Sequence, residues 1–122
     1  MDINIHNDSH STIVELNGEI HMHNSPALRN SLLKLLKKDI RLVLVNLGEI
    51  DRIDTSGLAT LVDFALRLKE NNSALAVYGL DESAADSVTR EQVESVLNMA
   101  DTREDALDKV KKKFEGNGSS DE

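Results

Sequence analysis

The sequence has no cysteine and no tryptophan, and only one tyrosine, two phenylalanines and one proline among 122 residues. Without cysteine, disulfides, zinc thiolates and thiol nucleophiles are excluded, and a reducing compartment suits the chain. With so few rings the core must be built from Leu, Ile, Val and Ala, and a binder that stacks nucleobases on aromatics is excluded. No apolar run reaches the ~18 residues that suggest a membrane span. The opening Met1-Asp2-Ile3-Asn4 is not a charged and then apolar signal. A soluble, cytoplasmic protein is expected.

Cations are also scarce. Lys and Arg number 14 against 22 Asp and Glu, for a formal net charge of −8. Such a surface repels phosphate backbones and anionic membranes, so neither nucleic acid nor membrane is expected as a partner, and a basic protein surface is. The length suits one domain, burying roughly two thirds of the surface its unfolded chain exposes.

What is present reads as alternating strands and helices. Ile3–Asn7 and Thr12–Asn17 alternate around the polar "NDSHS" and predict a hairpin. Gly18 is read as ending the second strand, and "EIHMH" as a further short strand. Asn24-Ser25-Pro26 places a capping residue before a proline suited to a first helical turn, and Leu28, Leu32, Leu35 and Leu36 form the stripe of that helix. "IRLVLVNL" is a continuous apolar run, the pattern of a strand covered on both faces.

After a connector over 48–53, Leu58, Leu61, Val62, Ala65 and Leu68 share one helical face, while Asp63 and Arg67 can pair on another. "ALAVYGL" is the last strand. Asp81-Glu82-Ser83 caps a short helix through about Thr89, and "EQVESVLNMA" and "REDALDKVKKKF" are helical in composition. Lys109 to Lys113 read as a solvated helix face. The predicted order β, β, β, α, β, α, β, α, α gives an α/β (α+β) fold, a four- to five-stranded mixed sheet with helices mainly on one face. One domain over 1–114 and a disordered acidic tail over 115–122 are expected.

The chemistry gathers at "IDRIDTSGLATLV". Asp54, Thr55 and Ser56 are all preferred N-cap types and Gly57 eases the entry of the chain, yet a helix needs one cap and three candidates stand in a row. Strand ends meeting helix N-termini are also where sites gather in such folds. An aspartic-protease reading fails because Ser56 interrupts Asp-Thr-Gly, a helix follows, and no second equivalent acid is evident. The nucleophile elbow fails because Asp54 and Leu58 stand where it needs glycines. No glycine-rich phosphate loop is present, so no cofactor is expected. A regulatory hydroxyl remains: a phosphate beside Glu49, Asp51 and Asp54 would intensify an acidic patch at a helix end that tolerates negative charge.

On these residues the chain resembles a stand-alone STAS domain of the bacterial anti-sigma factor antagonists. "LNGEIHMHNSPALRNSLLKLL" is similar to the family's second strand pair and first helix, "LVLVNLGEIDRIDTSGLATLV" to its central strand and signature loop, and "ALAVYGL" to its last strand. The resemblance implies a non-enzymatic binding module. Its hydroxyl after the Asp, Thr55 here with Ser56 as the neighbouring candidate, is phosphorylated by an anti-sigma factor with serine kinase activity and a histidine-kinase-like ATPase fold.

In that family the unphosphorylated form binds the kinase and releases a sigma factor, and a PP2C-type phosphatase resets the switch. The chain departs from the family pattern at His21 and Asn46, where Asp is usual, and at Thr55, where Ser is commoner. The resemblance places His21 beside the phosphosite. His21, His23, Asn24, Asp54, Gly57, Leu58 and Thr60 are the expected partner-binding residues, Met22 being ambiguous and Leu58 core by periodicity.

His21 and His23, alternating on a strand, would share a face and could also ligate a metal, but no third ligand is identifiable. The polar 81–83 loop has no position fixed by the sequence. A second functional reading is a constitutive STAS subunit that braces the ATPase of a phospholipid ABC transporter, for which "RIDTSGLA" fits nearly as well.

Overall fold

A computed structural model describes residues 1–8 and 11–119, with side chains along the last helix only through residue 112. The elements are β1 (Asp2–Asp8), β2 (Ser11–Ile20), α1 (Ser25–Leu35), β3 (Leu42–Ile53), α2 (Thr55–Glu70), β4 (Ala74–Tyr78), a 3-10 turn (Glu82–Ala84), α3 (Ser87–Val93) and α4 (Arg103–Ser119). They form a sheet of order β1-β2-β3-β4, with β1 antiparallel to β2 and the remaining pairs parallel. The mixed sheet and the hairpin agree with the sequence reading. Residues 9 and 10 of the hairpin connection lie outside the described residues.

Each parallel step needs a crossover, supplied by α1 between β2 and β3 and by α2 between β3 and β4. Leu28, Leu32 and Leu35 of α1 and Leu58, Leu61, Phe64 and Leu68 of α2 pack on one sheet face, against Val14, Leu16, Val43, Val45, Leu47, Leu75 and Val77. Ile13, Leu44 and Ala76 point the other way and are covered by Ala106 and Val110 of α4. This two-sided burial explains why β3 reads as a continuous apolar run rather than an alternating one.

Three local expectations are corrected. Gly18 does not end β2: its φ of 91° carries a register shift between Gly18 and Glu19, and the strand continues to pair Glu19 with Arg52 and Ile20 with Ile53. The expected connector over 48–53 is therefore strand, anchored inward by Ile50 and Ile53.

"EIHMH" forms no strand of its own. The Asn24 side chain accepts from the His21 N–H at 2.9 Å and donates to the Glu19 carbonyl at 2.8 Å, while the His21 carbonyl accepts from the Ser25 N–H at 2.8 Å. These bonds fold 22–24 into a turn and consume the groups a strand would offer. Asn24 consequently stands at the N-cap position of α1 without capping it through its side chain.

The third correction concerns the segment after β4. Asp81 precedes only the 3-10 turn, and Asp86 caps α3 by accepting from the Thr89 N–H at 3.1 Å. Helix α3 ends at Val93, and the expected helical stretch continues as a turn. There Asn98, at φ 50°, donates from Nδ2 to the Leu75 carbonyl at 2.8 Å. The expected tail boundary at 115 falls within the span of α4, and residues 120–122 lie outside the described residues.

Candidate functional site

The site grows from the junction of β3 and α2, where one residue, Asp54, separates strand from helix. Its backbone is extended, and its N–H donates to the Ile20 carbonyl at 3.0 Å, so the strand pairing continues to the last residue before the helix. Its carboxylate then divides its oxygens. Oδ1 accepts from the Gly57 N–H at 3.1 Å, capping α2, and from the Ser56 hydroxyl at 2.6 Å. Oδ2 accepts from the Met22 N–H at 3.2 Å.

The Ser56 hydroxyl bond, with backbone bonds from Gly57, Met22 and Ser56, holds the Asp54 carboxyl below its ordinary pKa despite an opposing effect of burial. The cap is thus an anion at neutral pH.

This arrangement separates the two candidate hydroxyls. Ser56 is half-buried with its proton directed to Asp54, whereas Thr55 is exposed at the first position of α2. Gly57 is buried for a reason beyond easing the chain's entry: a Cβ there would stand 2.7 Å from both Ile20 Cγ2 and Ile53 Cγ1. The first turn of α2 lies directly on the ends of β2 and β3, and only a hydrogen fits. Leu58, 1% exposed, belongs to the core and offers no surface to a partner. Thr60 is half-buried and its hydroxyl donates to the Ser56 carbonyl at 2.9 Å.

His21 and His23 lie in the turn rather than on a strand, with ring centroids 5.7 Å apart and edge to face. The His23 N–H donates to His21 Nδ1 at 3.2 Å, and His21 Nε2 lies 3.4 Å from Asn24 Nδ2, so the His21 ring is engaged within its own turn. Among the described residues no group of three potential metal ligands occurs. The turn presents Met22, 67% exposed, beside its bond to Asp54. Asn46 does not join the site. It stands on the sheet face of Leu44, accepting from the Gly48 N–H at 2.8 Å, roughly 20 Å along β3 from its end at the usual strand rise.

The 82–89 segment does reach it. Ser83, Asp86 and Thr89 share a cavity of about 320 Å³ with Thr55 and Arg52. Sequence reasoning missed Arg52, Asp86 and Thr89; Asp86 carried a local signal as a helix cap, but its proximity to Thr55 is set by the packing of β4 and the turn after it.

A family model for the STAS domain matches residues 2–106. The chain belongs to the STAS domain family. No curated protein sequence matches it. Solved structures give the same fold. An anti-sigma factor antagonist from Mycobacterium paratuberculosis superposes with a TM-score of 0.68 at 19% identity, over 90% of this chain and 93% of that one.

The anti-sigma factor antagonist SpoIIAA in its unphosphorylated form gives 0.72 at 15% identity, over 90% and 96%. Bacillus SpoIIAA in its phosphorylated form gives 0.67 at 17% identity, over 89% and 99%. In this STAS domain the signature Asp54-Thr55-Ser56-Gly57-Leu58 divides into a cap, an exposed hydroxyl, an engaged hydroxyl, a contact glycine and a core residue. Among the described residues no helix is long and apolar enough to cross a membrane.

Proposed function

We propose that this STAS domain is an anti-sigma factor antagonist whose unphosphorylated form binds an anti-sigma factor with serine kinase activity, releasing a sigma factor. Phosphorylation of Thr55 ends that complex and a PP2C-type phosphatase restores it. The observation that carries this reading is the contrast between an exposed Thr55 and a Ser56 whose hydroxyl is already bonded to Asp54. The fold likeness to SpoIIAA, a protein with a phosphorylated form, supports it.

The chain itself catalyses nothing on this reading: the kinase brings ATP. The Thr55 oxygen takes the terminal phosphoryl group, ADP leaves, and the hydroxyl proton passes to a base of the kinase.

The physical effect is local. A phosphate adds about 1.5 to 2 negative charges, and the N-terminus of α2, with roughly half a positive charge from its aligned peptides, accommodates them without unfolding. A partner packed over Met22, His21, His23, Asn24 and Thr60 instead meets new bulk and charge at the centre of its contact, where a desolvated anion is costly. Gly57 and Leu58 support this surface from beneath. Incubation with the cognate kinase and ATP, followed by mapping of the modified residue, tests the proposal: phosphate on Thr55 supports it, and its absence from Thr55, whether or not Ser56 is modified, contradicts it. A stable complex with a transporter ATPase, indifferent to phosphorylation, would favour the constitutive-subunit reading instead.

A further inference from the structure

Resting on the reading of Thr55 as the modified residue, we propose that Arg52 is the counter-charge of the phosphorylated state, holding the Thr55 phosphate within this chain. Arg52 is exposed near the end of β3, and it lines, together with Thr55, the cavity also bounded by Ser83, Asp86 and Thr89.

The two carboxylates of that cavity are already committed. Asp54 accepts from Met22, Ser56 and Gly57, and Asp86 accepts from both the N–H and the hydroxyl of Thr89. Arg67, Arg90 and Arg103 are likewise engaged, with Asp63, Glu94 and Asp8. Among the described residues Arg52 has no carboxylate at ion-pair distance. Among the described residues that line this cavity, Arg52 is the one cation.

A phosphate placed there without a cation would face Asp54 and Asp86 with only the first turn of α2 to balance it. A guanidinium presents parallel N–H donors that match two phosphate oxygens at once, and being weakly hydrated it gives up its water readily. Phosphorylation thus does more than add charge: it draws the exposed Arg52 guanidinium into a contact inside the chain. A phosphatase has to displace that contact before its own groups can take hold of the same phosphate oxygens.

The test uses full-length protein carrying phosphothreonine at position 55, introduced by amber suppression so that no kinase is required. Phosphorus NMR against pH reads the second ionisation of the phosphate. With Arg52 present it falls below that of the Arg52→Ala variant by about half a pH unit, the reduced effect of an opposite charge at a solvated site. Arg52→Lys restores part of the difference and Arg52→Gln none.

Hydrolysis by a general PP2C-type phosphatase quickens about twofold or more in Arg52→Ala. Superimposable titrations and equal hydrolysis rates in the parent and Arg52→Ala overturn the proposal. Failure of the cognate kinase to modify Thr55 would overturn the proposed function but leave this measurement intact, so the two failures are distinguishable.

Discussion

Asp54 and Met22 are joined by a hydrogen bond of 3.2 Å from the Met22 N–H to Asp54 Oδ2, across 32 residues of sequence. The same carboxylate caps α2 through Gly57. One side chain therefore fixes both the helix that carries Thr55 and the turn that presents Met22, making them a single surface.

Removing that carboxylate is expected to act at both ends. Asp54→Ala loses the cap and the bridge to Met22, and an N-cap alone is worth about 1 kcal/mol. Thermal unfolding is expected to fall by about 3 to 5 °C, with amide exchange rising at both Gly57 and Met22. Exchange faster at Gly57 alone would show that the bridge does not hold the turn.

The pH dependence has a definite sign. Because the Asp54 carboxyl is held below its ordinary value, chiefly by the Ser56 hydroxyl, the unfolded chain takes up this proton before the folded one as the pH falls. The stabilisation is complete above the unfolded value of about 3.9 and is lost as the pH drops through the folded one. Urea midpoints of the parent and of Asp54→Asn, followed from pH 6 to 3, are expected to converge at the acid end. Parallel profiles would contradict the assignment.

At Gly57 two magnitudes compete. Alanine gains up to about 1 kcal/mol in helix propensity, but its Cβ would stand 2.7 Å from carbons of Ile20 and Ile53. Overpacking of this kind typically costs about 1 to 3 kcal/mol. Gly57→Ala is expected to lower stability by about 1 kcal/mol or more in urea denaturation; a stabilised variant would mean that the strand ends yield without strain.

Leu58 and Met22 should behave oppositely. Leu58→Ala opens a cavity in the core and is expected to cost about 2 to 5 kcal/mol of stability. Met22→Ala, at an exposed site, is expected to change stability by less than about 0.5 kcal/mol while weakening partner binding. Denaturation curves and a binding titration on both variants separate support from contact.

These contrasts mark what the sequence can convey. The stripe and cap of α2 and the buried runs of β3 and β4 are legible because periodicity and capping are local. Asp54 was legible as one of three cap candidates in a row, and its bond from the Gly57 N–H assigns the cap to it. Gly18 misled because a glycine at positive φ marks a bulge as readily as a strand end, and only the pairing of β2 with β3 decides between them.

His21 and His23 misled for a related reason. Alternation in a short polar segment carries no information about the side-chain bonds by which Asn24 turns the chain. The resemblance already put Thr55 ahead of Ser56, and the structure adds a physical reason in the direction of one hydroxyl; the nearness of Arg52 and the 82–89 segment needed the packed structure.

The central claim is tested most directly by titrating the cognate kinase with the unmodified protein and with protein carrying phosphothreonine at position 55. The account predicts a complex with the unmodified form and a loss of at least about tenfold in affinity, ~1.4 kcal/mol, on phosphorylation. Equal affinity for the two forms would contradict it.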